Sequence, residues 1–133
     1  MAKTTPRVFH QQMVHYIRKT VNFNDTGIGT SVYAGTLPNG AQIIDAVTNV
    51  ETAFNAGSTN VLTAGITGAG YTDIIGSADV TEATPGGYRA AILTAGTKMA
   101  ADSDVFVRYT QTGGAATTGK ATIVITYAVN NDG

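Results

Sequence analysis

From Ala121 to Val129 the chain places Ala121, Ile123, Ile125, Tyr127 and Val129 on one side and Thr122, Val124, Thr126 and Ala128 on the other. A period of two belongs to a strand with one buried face; a helix, repeating every 3.6 residues, cannot use it. Similar runs recur along the chain, while helical periodicity is nearly absent. This pattern restricts the fold more than any other feature of the sequence.

Seven further strands are expected. Residues 12–24 set Met13, His15, Ile17, Val21 and Phe23 against Gln12, Arg18, Thr20, Asn22 and Asn24, with Val14 and Tyr16 also on this second face. Residues 28–37 (Ile28, Val32, Tyr33, Leu37) end at Pro38-Asn39-Gly40, where Pro presets φ and Asn-Gly accepts positive φ. Residues 41–54 carry Ile43, Ile44, Val47, Val50 and Phe54, and residues 60–67 alternate Leu62, Ala64 and Ile66 with Val61, Thr63 and Gly65. Residues 71–76 centre on Ile74 and Ile75, and residues 88–94 follow the break at Pro85-Gly86-Gly87. Residues 104–112 alternate Val105, Val107 and Tyr109 with Phe106, Arg108 and Thr110. Ser77–Thr84 is expected to form one helical turn capped by Ser77 or Asp79.

Eight strands around one core predict an all-β fold, a jelly-roll-like antiparallel β-sandwich. A propeller or solenoid would need a fixed internal period, and none is present. The 133 residues suit one domain, and a chain of this length buries roughly two-thirds of its unfolded surface. The N-terminal stretch is too long for a small sandwich, since residues 8–24 fully extended would span about 56 Å at 3.3 Å per residue. The expected organisation is therefore an extended N-terminal arm, residues 1–12, ahead of a sandwich domain, residues 13–133.

Charge separates the same two parts. Lys3, Arg7, Arg18 and Lys19 all precede the first acid, Asp25; beyond them Arg89, Lys98, Arg108 and Lys120 face nine acids. A basic arm on an acidic body suits docking to an acidic protein surface. Lys3, Arg7, Val8, Phe9, Arg18 and Lys19 are the candidate partner-binding residues, the cations steering and the apolar pair anchoring. Four cations make a small phosphate footprint, so no nucleic acid is expected. Only 13% of residues are charged, which fits a surface of small polar groups or one covered by partners.

Chemistry is sparse. The absence of cysteine excludes disulfides and thiolate ligands, and suits folding in a reducing cytoplasm. No apolar run is long enough to cross a bilayer, the start lacks a signal-peptide core, and no membrane partner is expected. His10 and His15, five residues apart, fall on opposite faces of a strand and cannot share a metal there. His15 reads as a packed, hydrogen-bonded residue on the apolar face. Asp102-Ser103-Asp104 lacks the rest of a calcium loop and reads as a turn before a strand. Gly27-Ile28-Gly29 and Gly68-Ala69-Gly70 do not continue as phosphate loops. No enzyme activity, metal or cofactor is expected.

Several stretches together carry a resemblance. They are Leu37-Pro38-Asn39-Gly40-Ala41-Gln42-Ile43-Ile44-Asp45-Ala46-Val47, the run from Thr52 to Gly65 (TAFNAGSTNVLTAG), Asp104-Val105-Phe106-Val107-Arg108-Tyr109, and the run from Thr118 to Tyr127 (TGKATIVITY). This pattern resembles the capsid cement, or head decoration, proteins of short-tailed bacteriophages. The resemblance implies a jelly roll made in the bacterial host cytoplasm and placed on the exterior of the virion head, where it bridges neighbouring major capsid protein subunits. It transfers no catalytic residues. Other copies of the chain are expected as partners too, a dimer before a trimer, because two-fold contacts are commonest. The alternative is a phage tail- or fibre-associated β-sandwich that binds carbohydrate or a receptor, with Tyr33 and Tyr71-Thr72-Asp73 as its candidate residues.

Overall fold

The computed structural model of the protein describes residues 14–68, 70–91 and 98–129. Seven strands run through them: β1 (Val14–Asn22), β2 (Val32–Leu37), β3 (Gln42–Thr52), β4 (Thr59–Gly65), β5 (Gly86–Arg89), β6 (Ser103–Thr112) and β7 (Lys120–Ala128). They form two antiparallel sheets, ordered β1-β7-β3-β5 and β2-β6-β4. No helix occurs among the described residues. The fold is an all-β sandwich in jelly-roll order.

The alternation read from the sequence decides which side chains lie between the sheets. Ile17 and Val21 from β1, Ile43, Ala46 and Val50 from β3, and Ala121, Ile123 and Ile125 from β7 line one wall. Leu37, Leu62, Ala64, Val105, Val107 and Tyr109 line the other. Phe54 and Tyr109 meet with ring centroids 4.7 Å apart. At one corner the walls close tightly, because Gly35 of β2 sits where a Cβ would come within 3.0 Å of the Ile17 side chain.

The eighth strand is reduced to one bridge. Ile75 pairs with Ala64 beside β4, through Ala64 N–H to Ile75 O at 3.1 Å and Ile75 N–H to Ala64 O at 2.8 Å. The expected strand over residues 71–76 fails to extend because Tyr71 takes a left-handed φ of 53°, and Asp73 turns its carboxylate to the Ile66 N–H at 2.9 Å. The expected helical turn at Ser77–Thr84 is also absent. Asp79 caps nothing: its carboxylate reaches back to the Gly76 N–H at 2.8 Å in a tight turn, and Pro85 and the buried Glu82 side chain lead the chain into further turns. The fifth strand begins earlier than expected, at Gly86, and residues 92–94 of its anticipated span lie outside the described residues.

The conspicuous sequence motifs interlock. Asn55 accepts the N–H groups of Thr117 and Thr118 at 2.7 and 3.0 Å, and Thr118 donates to Ala53 O at 2.8 Å. Asn60 accepts both the Ala56 N–H and the Tyr109 hydroxyl, at 3.0 and 2.6 Å. Gly119, at φ +149°, lies against the Phe54 ring so closely that no Cβ fits. The segments 53–60 and 112–119 thus form one clasp at an end of the sandwich. Their side chains are occupied in holding the fold.

Candidate partner-binding surface

Among the described residues, Val14, Tyr16, Tyr33 and Ile44 are the large apolar side chains left exposed, between 52% and 66%. Three of them, Val14, Tyr16 and Ile44, fall on the outside of the four-stranded sheet, at one end. Strand register places them: Val14 lies across from Ala128, Tyr16 from Thr126, and Thr126 from Asp45. Ile44 joins them beside a bulge. The register of β3 against β7 slips between Ile43 and Asp45, so both Ile44 and Asp45 point outward while Ile43 and Ala46 stay buried. Without that extra residue the alternation would carry Ile44 out and send Ala46 and Val50 out as well.

The next row across this face is Arg18, Val124, Val47 and Arg89. Arg89 is tied to Asp45 by a two-point contact, Nε to Oδ1 at 3.1 Å and Nη2 to Oδ2 at 3.0 Å. Arg18 is exposed and forms no ion pair among the described residues. Beyond it the face is closed by its own side chains. Thr20 donates to Thr122 (3.2 Å), Thr122 to Glu51 (2.7 Å), and Lys120 stands 3.6 Å from the same carboxylate. The hydroxyl of Thr122 is the main cause holding the Glu51 carboxyl below its ordinary pKa. One end of the sheet's outer face is internally satisfied; the other presents Val14, Tyr16 and Ile44 beside the exposed Arg18 guanidinium.

Of the residues singled out in the sequence, Lys3, Arg7, Val8 and Phe9 lie outside the described residues, as does His10. Arg18 belongs to the face just described. Lys19 is half-buried and, as the next residue along the strand, points to the opposite side. The structure therefore does not bring Arg18 and Lys19 to one surface. His15 is exposed, contrary to the packed position expected for it, because β1 runs past the end of the core there. It stacks on Tyr127 with ring centroids 5.8 Å apart. Tyr16, Val14 and Ile44 escaped selection although the signal was present. Val14 and Tyr16 are apolar residues on the polar side of an alternating strand, and adjacent Ile43 and Ile44 cannot both point inward without a bulge.

An aromatic cluster, of which Tyr33 is exposed and Tyr71 and Phe106 are half-buried, lies on the outside of the three-stranded sheet. Phe106 of β6 is flanked by Tyr33 (6.0 Å, edge-on) and Tyr71 (5.2 Å, tilted). The Tyr33 hydroxyl donates to Thr36 at 2.6 Å, and Thr36 donates to Asp104 at 2.7 Å. Tyr71 reaches Phe106 because the loop after β4 folds back over the strand, held by Thr63 to Gly70 O at 3.1 Å and by the Asp73 carboxylate. Gly65 permits this fold-back; any Cβ there would run into Asp73. Asp102 and Asp104 are used structurally, the former accepting the Asn39 N–H at 2.8 Å.

A scan against family models and a search of curated proteins found no match. Solved structures of similar fold do exist. A chain in the capsid asymmetric unit of cyanophage Pam1 superposes with a TM-score of 0.73 at 20% identity, covering 98% of this chain and 94% of that one. A chain in the acidic stable capsid of Helicobacter pylori bacteriophage KHP30 gives 0.65 at 14%, over 89% of each chain. One in the capsid of Ralstonia phage GP4 gives 0.61 at 19%, over 99% and 93%. At such identities the likeness shows a shared fold: this chain has a β-sandwich fold that also occurs in chains of phage capsids.

Proposed function

We propose that this chain is a structural, non-catalytic virion protein that binds the exterior of an assembled phage capsid and cements neighbouring major capsid subunits. The observation that carries this reading is the near full-length fold likeness to a chain of the Pam1 capsid. The face bearing Val14, Tyr16, Ile44 and Arg18 supports it, since a lone soluble domain has no use for three exposed large apolar side chains gathered on one sheet. Lys3, Arg7, Val8 and Phe9 precede β1 and are assigned to the same contact, and association of copies of the chain, dimer before trimer, belongs to the same reading. A protein that binds the lattice and not the free subunit stabilises the lattice by mass action. Co-sedimentation with purified capsids and with unassembled major capsid protein tests this. Binding to capsids alone is expected, and Tyr16→Asp should weaken it. Equal binding to free subunits, or none to capsids, would contradict it.

The Tyr33–Phe106–Tyr71 cluster favours a second reading, a carbohydrate- or receptor-binding surface on the three-stranded sheet. Aromatic rings beside Asp104 and Thr36 offer stacking and hydrogen bonding together. Glycan binding that disappears in Tyr33→Ala and Tyr71→Ala variants would support it; absence of binding across a broad glycan panel would remove it.

A further inference from the structure

The sandwich has four edge strands, and they are not treated alike. The outer side of β4 is covered, by the Ile75 bridge at Ala64 and by the Glu82 carboxylate on the Leu62 N–H at 2.8 Å. Strand β5 is four residues long and begins Gly-Gly. Strand β2 has six residues, interrupted by a bulge between Tyr33 and Gly35. Short, bulged or covered edges are the ordinary protection against strand pairing. Among the described residues strand β1 is guarded by charge alone, Arg18 outward and Lys19 inward, along nine residues in unbroken register with β7.

The register also shows which groups of β1 are open. Phe23 N–H donates to Gly119 O at 3.0 Å, continuing the ladder in which odd-numbered residues of β1 pair with β7. Val14, Tyr16, Arg18, Thr20 and Asn22 therefore turn N–H and C=O away from the sheet. At Asn22 both are satisfied by Asp25, whose carboxylate accepts the N–H at 2.8 Å and whose N–H donates to the carbonyl at 3.2 Å. Among the described residues no backbone partner meets Val14, Tyr16, Arg18 or Thr20 on that side.

We infer that this open edge of β1 takes an added antiparallel or parallel strand from a second protein, an extended segment carrying carboxylates at alternate positions. The charge on β1 selects the occupant. Arg18 lies on the outer face and Lys19 on the inner, and neither has an ion-pair partner among the described residues. Such cations on an edge repel a strand of like charge and hold an acidic one, whose alternate carboxylates share a single face and meet Arg18 on the outer side of the sheet. A second copy of β1 is the wrong partner. In a two-fold pairing through these residues the two Arg18 side chains lie opposite or diagonal on one face, and like charges there destabilise a sheet. Main-chain hydrogen bonds would supply affinity and the alternating side chains specificity, with Tyr16 and Val14 beside the new strand. The inference stands on the strand itself and goes beyond the capsid reading.

The test uses no capsid, so the two fail separately. The full chain, labelled with nitrogen-15, is followed by amide hydrogen exchange with and without a seven-residue peptide, Thr-Glu-Val-Glu-Val-Glu-Thr, at millimolar concentration. The amides of Tyr16, Arg18 and Thr20 should exchange quickly in the free protein and roughly tenfold more slowly with the peptide. The odd-numbered amides of β1 should be protected throughout. Replacing each Glu of the peptide by Lys should abolish the effect, and Arg18→Glu with Lys19→Glu should reverse the preference. Tyr16→Pro removes one outward N–H and leaves the ladder to β7 intact; it should weaken the peptide more than Tyr16→Ala does. Outward amides already protected in the free protein, no slowing with the acidic peptide, or equal slowing with the lysine peptide would each overturn the inference. The wild-type exchange data decide the matter even where the proline variant does not fold.

Discussion

Glu82 lends its buried carboxylate to the Leu62 N–H at 2.8 Å, on the side of β4 that faces away from β6. Burial is the larger effect on this group and raises its pKa above the ordinary 4.5, against the pull of the Leu62 hydrogen bond. The Tyr109 phenol is likewise raised, by burial first and then by the charge of Glu82. A carboxyl that binds its proton more tightly when folded contributes stability that is full below 4.5 and is lost as the pH rises through the higher folded value. Urea denaturation across this range should show Glu82→Gln flattening the decline, because Gln still accepts the N–H without a charge to bury. Glu82→Ala, which orphans the Leu62 N–H, should cost about 1–3 kcal/mol. A Gln variant with the wild-type pH profile would refute the assignment.

Thr48 lies fully buried on the inner face of β3, and its hydroxyl meets no hydrogen-bond partner among the described residues. Valine has nearly the same shape and no polar group to desolvate. Thr48→Val should stabilise the protein by about 1 kcal/mol in denaturant titrations. A loss of stability would mean that the hydroxyl is satisfied in solution.

Much of the fold was legible from the period-two runs, because alternation and burial are the same fact seen twice. Ile17, Val21, Ile123 and Ile125 fell on the inner faces where the pattern put them. The pattern could not reveal backbone irregularities. The bulge that turns Asp45 outward and keeps Ala46 and Val50 inside, and the left-handed Tyr71 that shortens the eighth strand, depend on pairing across the sheet and on Asp73 reaching back seven residues. The exposed face was half legible: Arg18 stood out by charge, Tyr16 and Val14 were visible as misplaced apolar residues, and Ile44 was visible as the outward neighbour of an inward Ile43. Nothing local in the sequence pairs Tyr33 with Tyr71, which meet only through Phe106.

Gly119 fills its place because of Phe54. At φ +149° it already favours glycine, and a Cβ would overlap the Phe54 ring. Gly119→Ala should lower stability by about 1–3 kcal/mol. Pairing it with Phe54→Leu should recover part of the loss, and strictly additive effects would show that the two residues do not press on each other.

The N-terminal arm makes a separable claim. Deleting residues 2–11 should leave the circular dichroism spectrum and cooperative melt of the sandwich in place while weakening capsid binding. Lys3→Glu with Arg7→Glu should weaken it less, with an effect that fades as salt rises. Full capsid affinity in the truncated protein would make the charge asymmetry incidental.

A cryo-EM reconstruction of the parent particle decides whether the protein sits on a capsid. Many copies of the sandwich are expected on the outside of the head, each spanning a junction between major capsid subunits, with Val14, Tyr16 and Ile44 against the lattice and Arg18 meeting an acidic segment. Sandwich density confined to the tail, or a head surface bare of it, would contradict the account.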